Sequence, residues 1–183
     1  MDKAISYVAL LRGINVGGAN NVSMAALKTT FEQLGFANVR TYINSGNLLF
    51  ESDVTDGRKL EATIETAIAQ HFPAPIRVMV RSASQMTAIM AHIPKSWDDP
   101  TDKRCNVIYL SHDIDKPSLV KEFEPKPDIE ELHYFSGVLF WSAQLSDLTK
   151  SRMIKVSSSP LYQDMTIRGL NTTRKLCEML RKS

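Results

Sequence analysis

Two kinds of apolar run alternate along the first half of this chain, and their order restricts the folds open to it. Residues 5–11 and 48–50 are apolar almost without interruption, the pattern of a strand covered on both faces. Residues 39–43 and 76–81 alternate instead. Val39, Thr41 and Ile43 are interleaved with Arg40 and Tyr42, and Ile76, Val78 and Val80 with Arg77 and Arg81. Such alternation, with arginines on the second face, reads as a half-exposed edge strand. Between the strands lie two helical patterns. Ser23 is placed to cap the first, which carries Met24, Leu27, Phe31 and Leu34 and stops at Gly35. Leu60, Ile64, Ala67, Ile68 and Phe72 mark the second. Asn44-Ser45-Gly46-Asn47 is a turn cluster, so the second and third strands form a hairpin. The order is strand, helix, strand, strand, helix, strand. In the split βαβ plait the first and third strands are central and the others are edges, which matches where the continuous runs fall. Met86, Ile89, Met90 and Ile93 predict a trailing third helix.

The order then repeats. Residues 93–104 hold two prolines and three aspartates without periodicity, the composition of a linker. Residues 106–110 read as a strand, and Leu119, Val120 and Phe123 as a short helix. Residues 132–135 and 138–141 read as a hairpin around Ser136-Gly137, and residues 165–168 as an edge strand. Residues 145–163 show no period. Asn171 is expected to cap a last helix carrying Leu176, Met179 and Leu180. Each half has its own Ser-Gly turn, Ser45-Gly46 and Ser136-Gly137. The expectation is an α+β chain of two tandem ferredoxin-like plaits, antiparallel sheets with helices on one face, covering residues 1–97 and 98–183.

A chain of 183 residues with 43% apolar content suffices for two small cores. No apolar run reaches the roughly 18 residues of a membrane span, and the N-terminal residues lack signal-peptide architecture. Cys105 and Cys177 are isolated thiols, which fits a reducing compartment, so a cytoplasmic protein is expected. The net charge of +2 conceals an asymmetry. Eight Lys/Arg against two acids lie from Lys150 onward, and the rest of the chain carries a net −4. Such a basic block attracts phosphates, nucleic acid or an acidic partner, or is a solvated helix face.

Three clusters are candidate binding elements. The first is the loop after the first strand, with Arg12, Gly13, Asn15, Gly17, Gly18 and Asn20. It lacks acid, Ser or His. Glycines allow close backbone approach, the following helix offers amide donors, and Arg12 suits a phosphate or carboxylate. The loop matches neither nucleotide fingerprint, GxGxxG or GxxxxGK[ST]. A purely structural loop, with glycines at positive φ and asparagines bonding their own backbone, is the alternative. The second cluster is Tyr42, Asn44, Ser45 and Asn47, which turn chemistry alone also explains. The third is basic and C-terminal: Arg152, Lys155, Arg168, Asn171 and Arg174. A surface or inter-domain ion-pair network is its alternative.

His71, His92, His112 and His133 are scattered, so no metal site is expected. No GxSxG elbow occurs, and the catalytic residues, any cofactor and the oligomeric state stay unassigned. Asp98, Asp99 and Asp102 read as a solvated linker rather than a cation site.

Three separated stretches carry a resemblance. They are residues 7–18, YVALLRGINVGG; residues 41–47, TYINSGN; and Ser151-Arg152-Met153 with Leu161-Tyr162 and residues 166–176, TIRGLNTTRKL. Together they resemble the bacterial domain-of-unknown-function family 1697 over nearly the whole chain. The resemblance implies two ferredoxin-like plaits and no established activity. Ala19 stands where a lysine is common in that family and Gly169 where an asparagine is common, which would alter any contact those residues make. The family's motifs fall on the three clusters above, which implies that they meet in one site.

The function expected is binding of an anionic small molecule, phosphorylated or carboxylated, between the Gly-rich loop and the basic segment. Catalysis there would rest on positioning and charge, with Tyr42 or Lys150 as acid/base. Nucleic-acid binding is the less favoured reading, because Phe140 and Trp141 do not match the aromatic signature of RNA-binding plaits. A protein–protein interaction module without small ligand is the third.

Overall fold

The structure, a computed structural model, describes residues 4–16, 21–72, 74–98 and 100–182. The chain divides into two compact units: residues 1–87 with 176–183, and residues 88–175. The 93–104 stretch therefore lies within the second unit. It contains a 3-10 turn, Lys95–Trp97, whose Trp97 is fully buried edge-on to Phe140.

The first unit is built from β1 (Ile5–Leu11), α1 (Met24–Gln33), β2 (Ala37–Tyr42), β3 (Asn47–Ser52), α2 (Gly57–His71) and β4 (Val78–Ser82), and α3 (Ala83–Ala91) begins in it. The sheet order is β2-β3-β1-β4, all antiparallel. This is the ferredoxin-like plait, with the continuous runs central and the alternating ones at the edges. Ser23 caps α1 by accepting from Ala26 N, and Asp56 caps α2 by accepting from Arg58 N and Lys59 N. Leu27 and Phe31 of α1 and Leu60, Ile64 and Ile68 of α2 share a core with Tyr7, Ala9, Leu11, Leu48, Phe50, Val78 and Val80. Phe50 contacts the rings of Tyr7, Phe31 and Phe36. The opposite sheet face is equally inaccessible at Val8, Leu10, Leu49 and Met79, which is why β1 and β3 read as continuous. Alternation misleads at Arg81. It is buried, because its Nη1 donates to Val80 O and pairs with Glu61 of α2 at 3.8 Å.

The second unit repeats the topology with different cladding. β5 (Lys103–Leu110), α4 (Leu119–Glu122), β6 (Glu130–Phe135), β7 (Val138–Gln144) and β8 (Met165–Gly169) form a sheet of order β6-β7-β5-β8. Its second connection is three 3-10 turns, Leu145–Lys150, Met153–Ser158 and Pro160–Asp164. Met153 and Val156 from these turns join Ile108, Leu110, Leu132, Leu139, Trp141 and Met165 in the core. α5 (Leu170–Arg181) starts one residue before Asn171, so Asn171 lies in its first turn rather than at its cap. Its residues from Leu176 belong to the first unit, where Arg40 Nη2 donates to Met179 O.

No helix among the described residues is long and apolar enough to cross a membrane.

Candidate functional site

The loop after β1 and the β2–β3 turn are knitted together at one end of the first sheet. Leu11 N donates to Gly46 O at 2.8 Å. The Asn15 amide donates to Val22 O and Asn44 O, both at 2.9 Å, while its oxygen accepts from Val22 N at 2.8 Å. Asn47, fully buried, donates to Tyr42 O and Ser45 Oγ. Asn15 and Asn47 thus spend these amide groups on the scaffold. Arg12, Gly13, Tyr42, Asn44 and Ser45 stand at the surface of the same cluster, partly or fully exposed. Gly17, Gly18 and Asn20, with Ala19, lie outside the described residues, as does Asp99.

Arg12 N also donates to Arg77 O at 2.9 Å. The backbones of two arginines therefore lie level where β1 ends and β4 begins, beside the turn. Arg77 is 3.8 Å from Glu65. The sequence did not single out Arg77, because one arginine in an alternating strand is ordinary surface. Only the register of β4 on β1 brings it level with Arg12.

Positive φ angles concentrate here: Gly13 at 66°, Asn15 at 54°, Ile43 at 47° and Gly46 at 77°. For Gly46 the requirement is double. A Cβ there would lie 2.8 Å from Ile14 Cδ1 and 2.9 Å from Leu11 Cβ. Ile43 is the unusual member, since a β-branched residue strongly disfavours this region. Its side chain is 51% exposed, and that of nearby Val16 is 64% exposed.

Two basic candidates, Arg152 and Arg168, are held at different places in the second unit. Arg152 pairs with Glu124, and its amide donates to Glu130 Oε1. Arg168 lies on β8, at the other edge of the sheet and on its other face, opposite Val107. Four-strand width separates these edges by roughly 14 Å. Arg168 is buried, and its Nη1 donates to Thr166 Oγ1 and Ile167 O. Burial pulls its pKa down to about 10, against an opposing effect of Tyr109, so it stays charged at neutral pH. Lys155 and Asn171 are exposed and Arg174 is half-buried.

Glu130, unremarkable in sequence, organises the Ser151-Arg152-Met153 motif. Its buried carboxylate accepts from Trp141 Nε1 at 2.8 Å, Lys126 N at 3.1 Å, Arg152 N at 3.0 Å and Ser151 Oγ. Burial acts to raise its pKa, but Ser151, Trp141 and the two backbone amides outweigh it, and the net shift is downward. That motif is therefore tied to holding the 3-10 segment on the sheet.

The repeat extends to individual bonds. Leu110 N donates to Gly137 O and Ser111 N to Asp164 O, as Leu11 N does to Gly46 O and Arg12 N to Arg77 O. Asp115 accepts from Gly137 N, so it too ties the loop to the turn, as Asn15 does. Arg81 lies opposite Val8 and Arg168 opposite Val107, and each donates Nη1 to the preceding carbonyl. Where the two loops differ, Arg12 corresponds to buried Ser111.

A conserved bacterial protein from Streptococcus pneumoniae is similar in structure to this chain, with a TM-score of 0.86 and 29% identity over 97% of this chain and 99% of that one. An unknown protein from Galdieria sulphuraria aligns over 92% and 99% of the two chains at 13% identity with a TM-score of 0.30, too low to carry an argument. A search of curated proteins returns no match. The profile of DUF1697, described as a protein of unknown function, matches residues 5–140, and the chain belongs to that family.

Proposed function

We propose that the chain binds an anionic small molecule, phosphorylated or carboxylated, at the Arg12 end of the first plait. The observation that carries this reading is the main-chain bond that sets Arg12 level with Arg77 beside the β2–β3 turn. Two arginines in register at one sheet end, of which Arg77 also lies 3.8 Å from Glu65, favour an anion through charge-assisted hydrogen bonds. Arg12, Arg77, Gly13, Asn44 and Ser45 are the contacting residues in this reading, with Tyr42 at the margin. Asn15 and Asn47 hold the geometry. Exposed Val16 and Ile43 flank the cluster and suit a ligand with an apolar part.

Nucleic-acid binding through the sheet face has less support. That mode stacks bases on exposed aromatic rings, whereas Tyr109 and Phe140 are almost wholly buried.

Calorimetric titration with inorganic phosphate, pyrophosphate, citrate and nucleoside triphosphates tests the proposal. Wild-type protein is expected to bind at least one of them. Arg12→Ala is expected to weaken that binding about tenfold with unfolding unchanged. Equal binding by the variant, or none of these anions bound by wild type, overturns it.

A further inference from the structure

β4 is an outer strand, so alternate amides along it point away from β1. The bond from Arg12 N to Arg77 O sets the phase: residues 77, 79 and 81 face β1, and residues 78, 80 and 82 face outward. An outward row of unmet donors is a template for another strand. Here all three are met by side-chain oxygens. Val78 N donates to Glu65 Oε1 at 2.9 Å, Val80 N to Glu61 Oε1 at 2.8 Å and Ser82 N to Gln85 Oε1 at 2.8 Å. Glu61 and Glu65 are one turn apart on α2, which places their carboxylates at the two-residue repeat of the strand. Gln85 acts through a capping box, since its own amide donates back to Ser82 Oγ at 3.2 Å. Arg81 and Arg77 each lie 3.8 Å from the matching carboxylate and steady the pair. Among the described residues the second unit shows no such row. The bond from Ser111 N to Asp164 O sets the same phase on β8, yet among the described residues no side chain accepts from the amides of Ile167 or Gly169.

We propose that Glu61, Glu65 and Gln85 form an edge block that keeps a second copy of this chain from adding its own β4 to this one. The occupant excluded is a second copy because β4 is self-complementary. Antiparallel pairing centred on Val80 sets Val78 against Ser82 and Met79 against Arg81, so every outward N–H meets an outward carbonyl of the same row. Among the described residues the three side-chain oxygens accept from those N–H groups.

The double variant Glu61→Ala/Glu65→Ala is expected to shift from the wild-type species to one of twice the mass in light scattering, with the shift growing with concentration. Hydrogen exchange at Val78 and Val80 is expected to quicken about tenfold in the dilute variant. Glu61→Gln/Glu65→Gln retains the acceptor oxygens and is expected to behave as wild type, which separates capping from charge repulsion. Should the double alanine variant fail to fold, Glu65→Ala alone, at the more exposed carboxylate, is read by exchange at Val78 and by mass. The proposal is overturned by folded alanine variants with wild-type mass. It is also overturned by glutamine variants that associate like the alanine ones, or by wild-type protection at Val80 that rises with protein concentration.

Discussion

In the first plait the connection from β3 to β4 is a fifteen-residue helix; in the second, the connection from β7 to β8 is three 3-10 turns. Both cover the same side of a sheet of the same strand order. The helix satisfies its own backbone and brings its apolar stripe down as a unit. A run of 3-10 turns satisfies less, and in the second plait a side chain supplies the remainder: Glu130 gathers the amides and hydroxyl of residues 151–153 and holds the turns on the sheet. One plait is thus closed by many dispersed apolar contacts and the other by fewer contacts around one buried charge. The lesson is that a topology tolerates loss of a helix when a buried acceptor replaces its hydrogen-bonding regularity.

This contrast is most directly broken at Glu130. Glu130→Ala strands the Trp141 N–H and several other donors, and is expected to cost about 3 kcal/mol in denaturant unfolding. Hydrogen exchange should quicken across residues 145–164 and stay unchanged in α2. The pH dependence carries the same signature. Because the folded carboxyl titrates below its ordinary value, its contribution is fully present above the unfolded carboxylate pKa. It is lost as pH falls through the lower folded value. Glu130→Gln should therefore flatten the acid limb of the stability profile; an acid limb unchanged from wild type would contradict the role given to the charge.

A smaller effect is expected where the first plait depends on close approach rather than on charge. Gly46→Ala combines positive φ with a Cβ pressed on Ile14 and Leu11. It is expected to destabilise by about 2 kcal/mol, measured by thermal unfolding, and to weaken anion binding at Arg12 along with it. The smallest effect tests the helix itself. Asp56→Ala removes the α2 cap and should cost about 1 kcal/mol in thermal unfolding. A loss as large as that of Glu130→Ala would mean that α2 also hangs on a single residue.

The same contrast explains what could be read from the sequence. β1, α1 and α2 carry clean periods, and so the first plait was legible to within a few residues. Residues 145–164 were not, because 3-10 turns lack the 3.6-residue period that apolar spacing reports. Arg81 read as exposed because alternation does not reveal an acid on another element. At the candidate site the loop and the turn were visible as separate clusters, yet Asn15 and Asn47 looked like ligand donors until their partners were known. Glu130 was invisible, since a carboxylate beside another acid looks like surface until Trp141 and Ser151 close over it. Arg12 and Arg77 became a pair only through register.

The membership of α5 bears on the order in which the molecule is completed. The first unit includes residues 176–183, among them buried Leu176 and Leu180, held in part by the bond from Arg40 to Met179. On a ribosome those residues emerge after every residue of the second unit. The unit begun first is therefore completed only after every residue of the second has been made, and a chain made only to residue 175 lacks the Leu176 and Leu180 that the first unit buries. Vectorial synthesis and structural closure run in opposite directions along this polypeptide.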